Sequence, residues 1–272
     1  MTSTALILAA GEGTRMRSSL PKVAHRVLGL PLVAHVIGAA RSAGVERIVV
    51  ITGHGAETVE DLLRDQEVEF ARQDEQLGTG HAVRCALEST GPLSGPVLVL
   101  SGDTPLVTPT TLKCLVGTQS EAGAACVLLS AHYPDMTGYG RIVRDARGAV
   151  TAIVEQRDLP PELEHIDEGN GGIYCFDGAA LGAYIERLEA ANAQSEYYLT
   201  DLIGLFVSAG MPVEAVVTED PDEASGVNTR VQLAEVTRVL QRRINERHML
   251  RGVTMTDPAL VWVGPSVFLG RD

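Results

Sequence analysis

The residues best suited to chemistry lie in a glycine loop near the N-terminus. Leu8 to Met16 reads L-A-A-G-E-G-T-R-M, and Pro21-Lys22 follows shortly after it. Backbone N–H groups in a glycine loop can bind phosphate oxygens, and Arg15 and Lys22 add positive charge in and just after this loop. The pattern predicts a phosphate-binding loop, with a dinucleotide-binding loop or a plain tight turn as the alternatives.

Two common phosphate loops do not fit this stretch. Met16 stands where a G-x-G-x-x-G fingerprint needs its third glycine, and the next apolar run ends Ile51-Thr52-Gly53 without a ribose-binding acid. The G-K-[ST] ending of a Walker A loop is also missing. This stretch therefore indicates a phosphate-binding loop of another kind, with a plain tight turn as the alternative.

A carboxylate follows a second apolar run. Asp103 lies in Ser101-Gly102-Asp103-Thr104-Pro105, directly after Val97 to Leu100. The carboxyl ends of strands are where ligands bind in open α/β sheets, and a hard oxygen ligand there suits Mg²⁺ carrying a triphosphate. Alternatively, Asp103 caps the helix expected near Pro109 or shapes the turn.

A third segment offers amide groups beside small residues. Gln73 to Gly80 reads Q-D-E-Q-L-G-T-G and joins a strand to a helix, so its amides are placed to read a base edge. A polar loop with Thr79 as helix N-cap explains it equally well. Asn228 is by default an N-cap, because a long helix follows it directly. The tract Glu196 to Asp201 either contacts a sugar or starts a helix.

Composition and charge exclude several classes of protein. The 272 residues are 45% hydrophobic and 21% charged, with no run of about 18 apolar residues, so we expect no membrane span. A formal net charge of −13 argues against nucleic acid as a partner. The four cysteines form no C-x-x-C pair, and neither H-E-x-x-H nor G-x-S-x-G occurs. The N-terminus lacks signal-peptide features, which predicts a cytoplasmic protein.

The elements that must position these residues alternate between apolar runs and amphipathic stretches. From residue 5 to residue 130 the order is strand, helix, strand, helix, which predicts an α/β fold: a Rossmann-like, mostly parallel sheet with helices on both faces. Beyond Ser130 the pattern loosens into three strands separated by Gly, Pro and acidic loops, and we expect this half to build the substrate side. A connecting helix is expected over 230–250.

The last residues have a different periodicity. An aliphatic-Gly pair at Val263-Gly264 recurs six residues later at Leu269-Gly270, as in hexapeptide β-helix repeats. About three such units are needed to bury a core, so residues 251–272 are expected to be the first fragment of a left-handed β-helix in a longer protein. The predicted division is a nucleotidyltransferase domain (1–229), a linker helix (230–250) and this fragment (251–272).

Taken together and in this order, the segments resemble bacterial bifunctional N-acetylglucosamine-1-phosphate uridylyltransferase/glucosamine-1-phosphate acetyltransferases, in their N-terminal uridylyltransferase part. The resemblance runs over nearly the whole chain. L-A-A-G-x-G-T-R-M with P-K is shared by many nucleotide-sugar pyrophosphorylases. The more discriminating segments are Glu75 to Ala82, Thr137 to Ile142, Val154-Glu155, Glu196 to Asp201 and Gly226-Val227-Asn228.

The resemblance implies a role for each matching residue. Arg15 and Lys22 would be catalytic and face the phosphates, and Asp103 and Asn228 would hold Mg²⁺. The residues implied in nucleotide binding are Leu8, Ala10, Gly11, Gly13, Gln73, Gln76, Gly78 and Thr79. Those implied around the N-acetylglucosamine are Gly140, Glu155, Asn170, Tyr198 and Thr200.

The implied reaction joins UTP to N-acetylglucosamine 1-phosphate and releases pyrophosphate. It needs no catalytic base, because a phosphate monoester with a second pKa near 6 is already mostly dianionic at pH 7. The alternatives are a sugar nucleotidyltransferase that uses dTTP, ATP or GTP, and a non-catalytic protein that binds sugar nucleotides. The resemblance also implies that a full-length form acetylates glucosamine 1-phosphate and forms a homotrimer through a β-helix absent here.

Overall fold

The computed structural model describes residues 3–272, so Met1 and Thr2, with which the expected first domain begins, lie outside the described residues. Eleven strands and seven α-helices occur in the described part. In chain order they are β1 (Thr4–Ala9), β2 (Arg26–Val27), β3 (Leu30–Pro31), α1 (Leu32–Ser42), β4 (Arg47–Thr52), α2 (Ala56–Leu62), β5 (Glu69–Arg72), α3 (Thr79–Thr90), β6 (Pro96–Ser101), α4 (Pro109–Ala122), β7 (Cys126–His132), β8 (Arg141–Arg144), β9 (Val150–Val154), β10 (Glu168–Asp177), α5 (Gly178–Tyr184), α6 (Asp201–Ser208), β11 (Val213–Val217) and α7 (Arg230–Met249).

The strands form one large, mostly parallel sheet, which confirms the predicted fold class. Its order is β11-β7-β10-β6-β1-β4-β5, and the β8–β9 pair is attached beside β10. β10 runs antiparallel to both of its main neighbours, β6 and β7. Its first residues therefore lie at the same edge as the carboxyl ends of the parallel strands.

The chain reverses its direction of travel across the sheet next to β1. From β1 it moves outward through β4 to β5, and it then returns to place β6 on the other side of β1. The loops after β1 and β6 consequently diverge and leave a crevice between them, which is where open α/β sheets bind ligands. The glycine loop and Asp103 lie in these two loops.

Side chains of β1 show how the sheet is buried on both faces. Ala5, Ile7 and Ala9 pack into one apolar cluster with α1, α2 and α4, whereas Leu6 packs into a second cluster with α3, α5 and α6. Alternation with a period of two is the expected behaviour of a strand covered by helices on both sides. The sheet edge that carries the loops is thereby held by two separate cores.

A third, smaller core fixes the long helix α7 to this body. Met16 of the glycine loop and Leu106 of the loop after β6 pack with Val227 and Val236. Thr229 caps α7 through a capping box with Gln232, which defines the start of the helix. The helix expected as a linker is therefore packed beside the glycine loop.

The C-terminal segment folds back along α7. Gln241 Nε2 donates to the carbonyl oxygens of Ala259 and Val261 (2.9 and 2.7 Å), and Asn245 Nδ2 donates to that of Pro258 (2.7 Å). Residues 251–272 contain turns and one short 3₁₀ segment but no strand. The β-helix expected to start here is not formed within these residues, in keeping with the need for several stacked repeats.

Three details differ from the sequence-based elements. The β2–β3 hairpin was not predicted, because two-residue strands carry no periodic signal. The strand predicted over 172–176 begins earlier, at Glu168, and the helix predicted over 179–189 ends earlier, at Tyr184. Among residues 3–272, no helix is long and apolar enough to cross a membrane.

We expect Met16→Ala to lower the free energy of unfolding by about 2 to 5 kcal/mol, because it empties a fully buried site where the glycine loop meets α7. Urea denaturation followed by circular dichroism measures the change. Leu20→Ala, at a side chain that is 37% exposed in the same segment, is the control and should cost much less. Equal losses in the two variants would contradict the anchoring role of Met16.

Candidate active site

Two cations and two oxygen-bearing side chains meet where the crevice opens. Lys22 Nζ donates to Asp103 Oδ2 and, at 3.0 Å, to Asn228 Oδ1. Arg15 Nη2 donates to the same Asn228 oxygen at 2.9 Å. The side chains of Lys22 and Asp103 are only 17% and 14% exposed. We call these four residues the charged cluster.

Backbone contacts bring the four segments to one point. Gly102 N donates to Leu8 O, and Val227 N donates to Asp103 O, both at 2.9 Å. Gly13 adopts a φ of 65°, and a Cβ there would lie 2.5 Å from Lys22 Cβ. Glycine is therefore required for the loop to approach Lys22 this closely.

The helix-cap explanations for Asp103 and Asn228 are wrong. Thr108, and not Asp103, caps α4 by accepting a hydrogen bond from Thr111 N. Thr229, and not Asn228, caps α7, which leaves the Asn228 amide oxygen for Lys22 and Arg15. Neither side chain is needed to start a helix, and the oxygens of both face the Lys22 ammonium instead.

The charged cluster suits a cation shared with a ligand. Within residues 3–272 no group of three His, Cys, Asp or Glu side chains is placed to hold a metal ion. One carboxylate and one amide oxygen are a sufficient protein contribution for Mg²⁺, which keeps water and binds phosphate oxygens. The Lys22 ammonium already lies against both oxygens, so the pair accommodates positive charge.

A cavity of about 470 Å³, the first cavity, extends from the charged cluster between the loops after β1, β5 and β6. It contains nine of the residues that the sequence predicted: Leu8, Ala10, Gly11, Lys22, Gln73, Gln76, Gly78, Thr79 and Asp103. Gly13 packs closely against Lys22 and does not line the cavity.

The loop from Gln73 to Thr79 is held by the segment before α6. Gly78 has a φ of 107°, and a Cβ there would lie 2.7 Å from Tyr197 O. Tyr197 N donates to Leu77 O at 2.8 Å. Thr79 does not cap α3 with its side chain; its hydroxyl accepts from Leu199 N at 3.1 Å instead. One wall of the first cavity is thus tied to the tract from Glu196 to Asp201.

A second cavity of about 650 Å³ lies on the other side of the glycine loop. Its lining residues are Thr14, Arg15, Gly138, Glu155, Gln156, Arg157 and Gln194. Arg15 lines this cavity and Lys22 lines the first, and both donate to Asn228 Oδ1. The two cavities therefore approach each other at the charged cluster.

Glu155 is the one residue of the expected sugar group that lines the second cavity. Its Oε1 accepts a hydrogen bond from Thr200 Oγ1 at 3.0 Å. Burial raises the pKa of the Glu155 carboxyl, and the charges of Asp201 and Asp158 add to this effect, while the Thr200 bond opposes it.

The other four expected sugar residues lie behind the cavity wall. Gly140 O accepts from Asn170 N at 2.9 Å, and Asn170 Nδ2 donates to the Tyr174 hydroxyl at 2.7 Å. Tyr198 and Thr200 are only 7% and 5% exposed. Burial and nearby carboxylates raise the pKa of Tyr198 to about 12, so it stays neutral. In this structure Thr200 holds Glu155, and none of these four residues lines the second cavity.

Several cavity residues were not predicted. Glu12 and Glu196 line the first cavity, and Arg157 and Gln194 line the second. Arg157 and Glu196 lie in or beside segments already singled out, so proximity to a motif was the available signal. Gln194 follows α5 in an irregular polar stretch and carried no signal.

Comparison with known proteins identifies related sequences and folds. The family model described as the MobA-like NTP transferase domain matches residues 5–176. The chain is 50% identical over 271 residues, 99% of its length, to the bifunctional protein GlmU of Trichlorobacter lovleyi. It is 48% identical, over 100% of its length, to that of Pelotomaculum thermopropionicum. It spans 59% of the length of each of these relatives.

A solved structure shares the fold at low sequence identity. A nucleotidyl transferase from Methanothermobacter thermautotroptrophicus superimposes with a TM-score of 0.61 at 19% identity, covering 89% of this chain and 99% of that one. At this identity the likeness concerns the fold alone.

We expect Glu155→Gln to stabilise the protein at pH 7. Because the pKa of Glu155 is raised on folding, the wild type is favoured at low pH and loses stability as pH rises through the raised value. Glutamine stays neutral and can still accept from Thr200. Urea midpoints should therefore differ at pH 7 and converge below pH 4.5, the ordinary glutamate value. Glu164→Gln, at an exposed carboxylate, is the control; a pH-independent difference for Glu155→Gln would contradict the buried-charge explanation.

Proposed function

The chain belongs to the MobA-like NTP transferase family, and on that premise we propose that it is a uridylyltransferase that makes UDP-N-acetylglucosamine and pyrophosphate from UTP and N-acetylglucosamine 1-phosphate. The similarity to bifunctional GlmU proteins over nearly all of the chain supports this substrate pair. The observation that carries the proposal is the charged cluster, which lies between two cavities large enough for two substrates.

The proposed reaction is an in-line transfer of the uridylyl group of UTP. An oxygen of the sugar phosphate attacks the α-phosphorus of UTP, the new P–O bond forms, the bond from the α-phosphorus to the bridging oxygen breaks, and pyrophosphate leaves with the electron pair. The nucleophile is already deprotonated at pH 7, so the protein must mainly align the two phosphates and offset their charge. Arg15 and Lys22 serve both purposes, because they reach the same point from the two cavities.

We propose that Asp103 and Asn228 hold Mg²⁺ when UTP is bound. The ion would neutralise negative charge on the phosphates as pyrophosphate departs. The Lys22 ammonium, which contacts both oxygens in this structure, would then be free to reach the triphosphate. Support for this assignment comes from the donor chemistry and from the two oxygens already facing one cation.

The first cavity is assigned to UTP and the second to the sugar phosphate. Leu8, Ala10 and Gly11 would surround the nucleoside and its phosphates, with Gln73, Gln76, Gly78 and Thr79 beside the uracil. Gly13 would contribute by letting the loop approach Lys22. Glu155 would accept a hydrogen bond from a sugar hydroxyl or amide. Gly140, Asn170, Tyr198 and Thr200 would shape this half, by direct contact or by holding Glu155.

Further proposals concern the protein as a whole. Where the sequence continues as in the longer bifunctional relatives, we propose that acetylation of glucosamine 1-phosphate and trimer formation belong to the continuation. UTP is an intracellular metabolite, which supports action in the cytoplasm.

Lys22→Ala and Asp103→Ala should each lower kcat by about 10² to 10³-fold, because the first removes a cation from the reacting phosphates and the second removes the carboxylate that would hold Mg²⁺ beside them. Pyrophosphate release measures the rate, and circular dichroism checks folding. Lys113→Ala is the matched control, since Lys113 is the other lysine of the chain and lies exposed on α4. Near-wild-type turnover of Lys22→Ala or Asp103→Ala would overturn the assignment of the charged cluster.

The substrate pair is tested by pyrophosphate release from UTP, dTTP, ATP, GTP and CTP, each with N-acetylglucosamine 1-phosphate, glucosamine 1-phosphate or glucose 1-phosphate. We expect metal-dependent release with UTP and N-acetylglucosamine 1-phosphate, abolished by EDTA and restored by Mg²⁺. Release with another pair alone would refute the proposed substrates. Nucleotide binding without release from any pair would indicate a sensor.

A further inference from the structure

The Gln73 side chain has an amide group whose two N–H bonds are both used inside the protein. Gln73 directly follows β5, is 3% exposed and lines the first cavity. Its Nε2 donates to Gly78 O at 3.0 Å and lies 3.1 Å from Nδ1 of His81 on α3. The amide is therefore held by two neighbours on one side.

The chemistry of these neighbours fixes which way the amide faces. A backbone carbonyl can only accept a hydrogen bond, so the atom next to Gly78 O must be the amide nitrogen. The second N–H then needs a lone pair on His81 Nδ1, which places the proton of the neutral imidazole on Nε2. That nitrogen lies 3.7 Å from Cys85 Sγ, a weak acceptor one helical turn further along.

The remaining atom of the amide, Oε1, has no hydrogen-bond partner among the residues that the structure describes, and it belongs to a side chain that lines the first cavity. An amide oxygen can only accept. Uracil presents an N3–H donor on its pairing edge, whereas cytosine presents a lone pair at N3. An oxygen held toward N3 of the base therefore accepts a hydrogen bond from uracil and faces a lone pair in cytosine, whose one donor on this edge is the neighbouring N4 amino group. A hydrogen-bonding site rejects the mismatched partner strongly.

We propose that His81 is a positioning residue for nucleotide selection: its Nδ1 lone pair holds the Gln73 amide with Oε1 toward the base, so that UTP is preferred over CTP. The proposal rests on the proposed function, because it deepens the assignment of the first cavity to UTP. His81 acts through Gln73 and does not itself contact the reacting phosphates.

The test compares His81→Asn with His81→Leu, two side chains of similar shape of which only asparagine can accept a hydrogen bond. Asparagine can place Oδ1 close to the position of histidine Nδ1 and accept from Gln73, whereas leucine cannot. We expect His81→Leu to lower the ratio of kcat/KM for UTP over CTP about tenfold, the size of one lost hydrogen bond. The change should appear as a raised KM for UTP with kcat altered less than about threefold, because the base lies away from the reacting atoms.

His81→Asn should restore most of the UTP preference. A structural role alone would affect the two nucleotides equally, so an unchanged UTP:CTP ratio in His81→Leu, or equal loss in His81→Asn and His81→Leu, would overturn the proposal. Isothermal titration of UTP and CTP gives the same comparison without turnover. A wild type that does not prefer UTP would refute the proposed function instead, since that result does not depend on His81.

Discussion

The contact of one ammonium group with two oxygens unites segments far apart in the chain. Lys22 meets a carboxylate 81 residues away and an amide oxygen 206 residues away. The three segments leave β1, β6 and β11, and backbone hydrogen bonds from Gly102 and Val227 set their spacing. Removing water from a charged pair is costly unless its partners are well placed, so the sheet, the loops and the start of α7 are all constrained by this small cluster.

The two cavities are also linked by the tract from Glu196 to Asp201. Tyr197 joins the loop from Gln73 to Thr79 through main-chain hydrogen bonds, and Thr200, three residues later, holds Glu155. The same short tract therefore contacts a wall of the first cavity and the carboxylate that lines the second.

Much of the architecture could be predicted from periodicity, and much of the site could not. Helix α7 and the start of α4 lie at the predicted positions, because Thr before a helical stretch and Pro at its first residue are strong local signals. Asn228 and Thr79 were each explained equally well as helix caps, because sequence-local rules cannot reveal that Lys22 or the Leu199 amide would use their side chains. His81 lies in the segment from Glu75 to Ala82 that carries the resemblance, but its contact with the Gln73 amide could not be predicted, since it joins the end of a strand to the next helix.

The β8–β9 hairpin pairs with strand β10 of the main sheet at a single residue pair, Gly169 with Arg141. The Arg144–Glu168 ion pair makes a second connection. The central strands, by contrast, are bonded on both sides along their length. Ile142, Val150 and Ile153 nevertheless bury the inner face of the hairpin in the core that includes α6. The exposed turn, residues 145–149, is therefore the part of the hairpin whose length can vary during evolution without disturbing that core or the central strands.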